Sequence, residues 1–152
     1  MTQENPFGFE SSDDSTGFLL WRTHNFWQRE FRKCLKEFDL THTQFVILAS
    51  SHWLNLQNEE VTQIEIADHA KTDVMLTSNV IRALEKKQFL SRAEHSLDTR
   101  AKKVLLTDLG IEILKKAVKK VEKFDQIFFS KLSDSKKFNE ELIKLTENNP
   151  PA

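Results

Sequence analysis

Apolar residues recur at spacings of three, four and seven along most of the chain. Leu20, Trp27, Phe31, Cys34 or Leu35, and Phe38 fall on one helical face and predict a first helix over roughly 18–38. Asp39 and Thr41 supply a break and a cap, after which Phe45, Leu48, Ala49, Trp53 and Leu56 mark a second helix with an exit loop over 55–60. Thr62-x-x-Glu65 is a capping box, in which hydroxyl and carboxylate satisfy the free amides of a helix start, and it opens a short third helix ending near His69. A turn over 70–72 leads to Thr72 or Asp73 as the cap of a fourth helix. Leu76 or Thr77, Val80, Ile81 and Leu84 are expected on its inner face, with Met75, Ser78, Asn79 and Arg82 outside. Two short helices joined by a tight turn, the second presenting polar donors and acceptors, predict a helix-turn-helix.

Past this pair the pattern changes. The runs 90–94 and 103–106 flank a polar tip containing Ser96, Asp98 and Thr99, as two antiparallel strands joined by a hairpin loop do. Thr107-Asp-Leu-Gly110 then opens a fifth helix with the apolar stripe Ile111, Leu114, Val118, Val121, Phe124, Phe128 and Leu132. A sixth helix, about 134–147, carries Phe138, Leu142 and Leu145. These terminal helices exceed what a small winged helix can bury, which predicts a partner chain and a C2 dimer built from the first, fifth and sixth helices. The expected fold is mainly α (α+β): a winged helix-turn-helix over 39–106, dimerisation helices at 18–38 and 107–148, and a flexible acidic tail at 1–17.

Composition narrows the picture. A chain of 152 residues, 39% hydrophobic with 12 Phe and 3 Trp, is one domain with enough apolar mass for a core. Only 3 Gly and 3 Pro beside 30% charged residues favour long amphipathic helices over a large parallel sheet. The N-terminal stretch is polar and acidic where a signal peptide is basic then apolar, and no run reaches membrane-span length, so a cytoplasmic protein without membrane association is expected. The single cysteine, Cys34, fits a reducing compartment. A net charge of −1 conceals an uneven distribution: residues 1–17 hold four acids and no Lys or Arg, leaving +3 on the remainder. Between Arg82 and Lys103, seven cations face three acids, a local excess that phosphates would feel. No glycine-rich phosphate loop, nucleophile elbow or paired catalytic carboxylates occur in a recognisable motif, so no enzyme is expected. His24, His42, His52, His69 and His95 lack metal-ligand spacing.

Asp98-x-Arg100 followed by Leu106-Thr107-x-x-Gly110 at the start of a long helix resembles the signature of the MarR family of bacterial transcription regulators. The resemblance extends through 40–48, 62–67, 72–79 and 84–87. It implies a homodimeric winged-helix protein that binds double-stranded DNA, usually a repressor on a pseudo-palindromic operator, often released by a small ligand or by oxidation. In the family the arginine of Asp-x-Arg reaches the minor groove from the wing while the aspartate orients it; Arg100 and Asp98 match. Arg92 and Lys102 are further wing candidates, Arg92 as a second partner for Asp98. On the recognition helix Asn79 suits adenine, Arg82 guanine or phosphate, Ser78 a base edge or the backbone, and Met75 a thymine methyl. Two positions depart from relatives. Gln88 stands where many have a left-handed glycine, and Asn79 where many have arginine, so operator preference does not carry over.

The resemblance also implies an effector cleft between the dimer helices and the winged domain. Trp21, His24, Trp27, Phe45 and His52, with Trp53, are the aromatic candidates there, suited to a small aromatic or phenolic effector; no cofactor is expected. Two alternatives stand beside this reading. One is a redox-sensing regulator using Cys34, whose neighbours Lys33 and Lys36 would lower a thiol pKa. The other is a winged-helix protein-interaction module without specific DNA binding.

Overall fold

The computed structural model describes residues 5–147. Residues 1–4 of the expected tail and 148 of the expected dimerisation segment lie outside that range. Helix α1 spans Thr16–Leu35, with the Ser15 hydroxyl accepting from Phe18 N, and its direction breaks in a 3-10 turn over Lys36–Phe38 that ends at Asp39, φ 52°. The sequence pattern ran the α-helix three residues too far, because Phe38 keeps the apolar spacing although the backbone has already tightened. Before α1, residues 5–15 fold locally: Asn5 accepts from Phe7 N, a capping box at Ser11 and Asp14 closes a 3-10 turn, and Asp13 pairs with Arg22 at 3.1 Å. Over these residues the expected flexible tail instead has local hydrogen bonds and an ion pair to α1.

Helices α2 (His42–Asn55) and α3 (Gln63–Ala70) both start with capping boxes, Thr41 with Gln44 and Thr62 with Glu65. Lys71, φ 50°, ends α3, and Asp73 caps α4 (Val74–Lys86) by accepting from Leu76 N. Strands β1 (Leu90–Glu94) and β2 (Lys102–Leu106) pair antiparallel with Leu90 opposite Leu106 and Glu94 opposite Lys102. Two long helices follow, α5 (Asp108–Phe129) and α6 (Ser135–Glu147).

Helix α2 lies at the centre, touching α1, α3, α4, α5 and β2. Leu35, Ile47, Leu48, Ile66, Ile81, Leu84 and Val104 are sealed from solvent around it. The wing is tied into this core by backbone: Val104 N donates to Val61 O at 2.7 Å, and Thr62 bridges Lys103. At the exit of α4, Gln88 takes φ 62°, the left-handed geometry expected from its alignment with glycine, and its carbonyl accepts from Thr107 Oγ1 at 2.5 Å. The start of α5 packs so closely on this exit that a Cβ on Gly110 would stand 2.0 Å from Phe89 O. At the opposite end, α6 buries nothing, and Leu20, Trp21 and Phe26 on α1, Ile127 on α5 and Ile143 on α6 are all about half exposed or more. None of the described helices is long and apolar enough to cross a membrane.

Candidate nucleic-acid interface

Helix α4 sorts its residues by rotation of about 100° per residue. Thr77, Ile81 and Leu84 are buried, and Met75, Asn79, Arg82 and Lys86 point outward together. Ser78 does not join them. It lies at the edge of the inner face, 8% exposed, whereas the sequence pattern placed it outside. Lys86 takes its place on the outward face; the sequence pattern passed over it as one of several lysines at a helix end. Arg82 Nη1 approaches Asn79 Oδ1 at 3.5 Å, so the two polar heads sit side by side.

Arg92 does not reach Asp98. Its Nη2 and Nε donate to Glu85 Oε2 at 2.7 and 3.0 Å, so this wing arginine braces β1 against α4. Arg100 is different: its side chain is 93% exposed and its Nε lies 3.6 Å from Asp98 Oδ1, while its own N donates to the same oxygen at 3.0 Å. The Asp98 carboxylate therefore fixes both the turn and the root of the guanidinium. Lys102 is exposed on the outer edge of the hairpin.

Much of the local positive charge is spoken for. Lys87 donates to the Asp39 carbonyl, and pairs with the Asp39 carboxylate at 3.1 Å and the Gln44 side chain at 3.1 Å; Lys103 pairs with Glu60 at 3.2 Å. Glu60 also accepts from Ser96 N at 3.1 Å and from the Ser96 hydroxyl. These Ser96 bonds above all, with Lys103 and the neighbouring His95, hold the Glu60 carboxyl down at about 2 against the opposing effect of desolvation. Cations without such internal partners, Lys86 and Lys102, together with outward Arg82 and Arg100, are what the surface offers to phosphate.

The five effector candidates are spread along α1 and α2. Trp21 is 65% exposed and, with Arg22, Asn25 and Phe26, lines a shallow depression on α1; Phe45 is buried; His52 is two helical turns further along α2. Trp27 and His24 neighbour each other, ring centres 6.2 Å apart, and Trp27 leads into a layer in which the predicted apolar faces meet two residues the spacing did not single out, His42 and Asp125. The Trp27 ring packs on Phe31 and His42, Phe31 on Phe45 and Phe124, and Trp27 Nε1 donates to Asp125 Oδ1 at 2.8 Å. Burial raises the Asp125 carboxyl above its usual range, more than the Trp27 bond lowers it. Burial, with His24 and Arg32 nearby, pushes the His42 imidazole below its usual value. Beside His42 a crevice of about 570 Å³ runs between Gln28, Arg32, Lys36, Leu40 and Lys87. His42 was passed over at the sequence level because it opens α2 and belongs to no apolar stripe. Cys34 is half buried on α1, and desolvation raises its thiol pKa, opposite to the effect expected from Lys33 and Lys36.

Comparison with known proteins agrees with this architecture. The model of the MarR family matches residues 40–102, from the residue before the α2 cap to the start of β2. The HTH-type transcriptional regulator YdcH of Bacillus subtilis (strain 168) is 40% identical over 140 residues, 92% of this chain and 95% of that one. Among solved structures, S. aureus MepR in a DNA complex superposes with a TM-score of 0.77 at 24% identity, covering 89% of this chain and 96% of MepR. BpsR of Bordetella bronchiseptica reaches 0.81 at 21% identity, covering 93% and 100%. With a relative this similar over nearly its whole length, and the winged helix-turn-helix matched by the family model, the chain belongs to the MarR family of transcriptional regulators.

Proposed function

We propose that the protein is a non-catalytic, homodimeric repressor that binds a pseudo-palindromic operator through α4 and the wing, and leaves it when an aromatic acid or phenolate binds beside His42. The observation that carries the DNA reading is Arg100, 93% exposed at a hairpin tip yet rooted by Asp98 through both its backbone and its Nε. A backbone already held at the turn leaves less entropy to lose when a phosphate or minor groove receives the guanidinium. Asn79 and Arg82 on the outward face of α4 supply base-edge readers, Met75 an apolar contact, and Lys86 and Lys102 phosphate contacts. MepR, which shares this fold, is known in complex with DNA, which supports the DNA-binding reading.

Dimerisation is supported by the half-exposed apolar residues of α1, α5 and α6, which a second copy would cover. Two recognition helices related by a two-fold axis read half-sites one helical turn apart, about 34–36 Å. A regulator of this kind works beside the chromosome, which is the basis for a cytoplasmic assignment.

The effector reading rests on the open crevice at His42, lined mostly by polar residues, where cationic side chains gather beside an aromatic ring. His42 offers a ring to stack on, and Arg32 and Lys36 offer positive charge at its side. BpsR has its DNA binding regulated by 6-hydroxynicotinic acid, an aromatic acid of this type.

The test is selection of bound duplexes from random DNA at near-physiological salt, run with the wild type and Arg100→Ala. A recovered pseudo-palindrome that the variant binds more weakly supports the proposal. A dimer that enriches no sequence, even after unfolding and refolding to strip any bound ligand, sinks it and leaves the interaction module as the reading. Aromatic acids added to the recovered complex then test the crevice, with Arg32→Ala expected to blunt their effect.

A further inference from the structure

We propose that Glu60, in the loop between α2 and α3, is the positioning residue of the wing tip, setting where Arg100 stands relative to the recognition helix. The inference rests on the DNA reading above and adds to it a residue outside both the recognition helix and the hairpin.

The argument begins where backbone control ends. Strand pairing stops at Glu94 and Lys102, and the two backbone links from the hairpin to the helical body reach only Lys103 and Val104. The tip beyond is therefore free to swing unless side chains hold it. Among the described residues, the hydrogen bonds that leave the 95–101 segment all go to Glu60. Ser96 N donates to Oε1 and Oε2 at 3.3 and 3.1 Å, and the Ser96 hydroxyl donates to Oε2. Lys103 Nζ, on the other strand, donates to Oε1 at 3.2 Å, so one carboxylate clips both arms of the hairpin to the body.

From Ser96 the constraint passes inward through the tip. His95, the chain neighbour of Ser96, accepts at Nδ1 from Leu97 N at 3.2 Å and Asp98 N at 3.3 Å. Asp98 then accepts from Arg100 N and pairs with its guanidinium. Each step fixes the next residue's backbone, so the position of Arg100 is referred back to Glu60 and, through Val61 and Thr62, to the start of α3.

Charge makes the role separable from simple electrostatics. A carboxylate beside a DNA-binding surface repels phosphate, and it also occupies Lys103. Removing it on charge grounds alone tightens DNA binding; removing a positioning residue loosens it. The two expectations have opposite sign.

The experiment measures affinity for a duplex recovered by selection, using wild type, Glu60→Gln, Ser96→Ala, Arg100→Ala and the Glu60→Gln/Arg100→Ala double variant, with the folded fraction of each checked by circular dichroism. Glu60→Gln is expected to weaken binding by about 3- to 10-fold despite its lost negative charge, and Ser96→Ala, which changes no charge, to move in the same direction. In the Arg100→Ala background Glu60→Gln is expected to change affinity by less than about 2-fold, because its effect runs through that side chain. Binding by Glu60→Gln that equals or exceeds wild type overturns the inference, as does an equal loss in both backgrounds. If Arg100→Ala alone leaves affinity intact, the wing reading itself fails and takes this inference with it, an outcome distinguishable from the other two.

Discussion

Arg92 in β1 and Glu85 in α4 form a two-pronged ion pair, Nη2 and Nε both on Oε2 at 2.7 and 3.0 Å, and it joins the wing to the last turn of the recognition helix. The pair links the two elements proposed above to contact DNA. Both side chains are about one-third exposed, so the pair contributes at most about 1 kcal/mol to stability.

Arg92, held by Glu85, and Lys102, exposed on the hairpin, predict different salt responses. Lys102→Ala removes one phosphate contact per subunit and should make the slope of log affinity against log salt shallower by about 1.8 for a dimer. Arg92→Ala should weaken binding through geometry and leave that slope unchanged. Titrations between low and physiological salt check this, and a slope change in Arg92→Ala matching that of Lys102→Ala places Arg92 on phosphate.

Neighbouring positions on α4 should behave oppositely. Asn79 is on the outward face, and its replacement by Ala is expected to cost about 1–3 kcal/mol of discrimination at one base pair in each half-site. Ser78, buried, should leave the preferred operator unchanged when replaced by Ala. Selection with each variant decides it; an altered consensus from Ser78→Ala contradicts the assignment of this face.

What was legible follows from the reach of each signal. The cap at Thr41, the capping box at Thr62 and the stripe of α5 act within a turn or two of chain, and those elements lie where the pattern put them. The hairpin was legible as well, because its polar tip and flanking apolar runs are local. Partnerships across the chain were not. Arg92 was assigned to Asp98, six residues away, when its partner is Glu85 across the α4–β1 junction, and Glu60 lies thirty-six residues before the Ser96 it holds. Ser78 shows a third limit: at the edge of a helical face, one residue's rotation decides burial, and periodicity alone does not resolve it. Among the aromatic candidates, Phe45 and His52 share a helix but stand about 10 Å apart along its axis, a separation that periodicity alone does not weigh.

The α4 exit offers a pair of glycine tests. At Gly110 a methyl would overlap Phe89 O, a backbone atom that cannot rotate away, so Gly110→Ala should destabilise by more than about 2 kcal/mol. At Gln88, φ 62°, glycine relieves a left-handed strain of about 1–2 kcal/mol and costs part of that in unfolded-state entropy. Gln88→Gly should therefore stabilise by less than about 1 kcal/mol. Denaturant midpoints measure both, and a tolerated Gly110→Ala would mean that α5 can slide off the α4 exit.

Asp125 makes stability depend on pH in a definite direction. Its folded carboxyl is raised above its ordinary value, chiefly by burial, so the folded state holds the proton more tightly than the unfolded chain does. For such a group the stabilising contribution is present at low pH and is lost as pH rises through the folded pKa, leaving a desolvated carboxylate at neutrality. Asp125→Asn keeps an oxygen to accept from Trp27 Nε1 and cannot ionise. It should raise Tm at pH 7, and the gain should shrink as pH falls through the raised pKa of the folded carboxyl, below which the wild-type group is itself neutral. A lower Tm at pH 7, or a gain independent of pH, would show that the Trp27 bond to a charged acceptor outweighs the desolvation of Asp125. Because Asp125 anchors the aromatic layer that ends at His42, the same variant also reports on the effector crevice: ligand release of DNA should survive it if the ligand reads His42 and Arg32, and fail if Asp125 itself contacts the ligand.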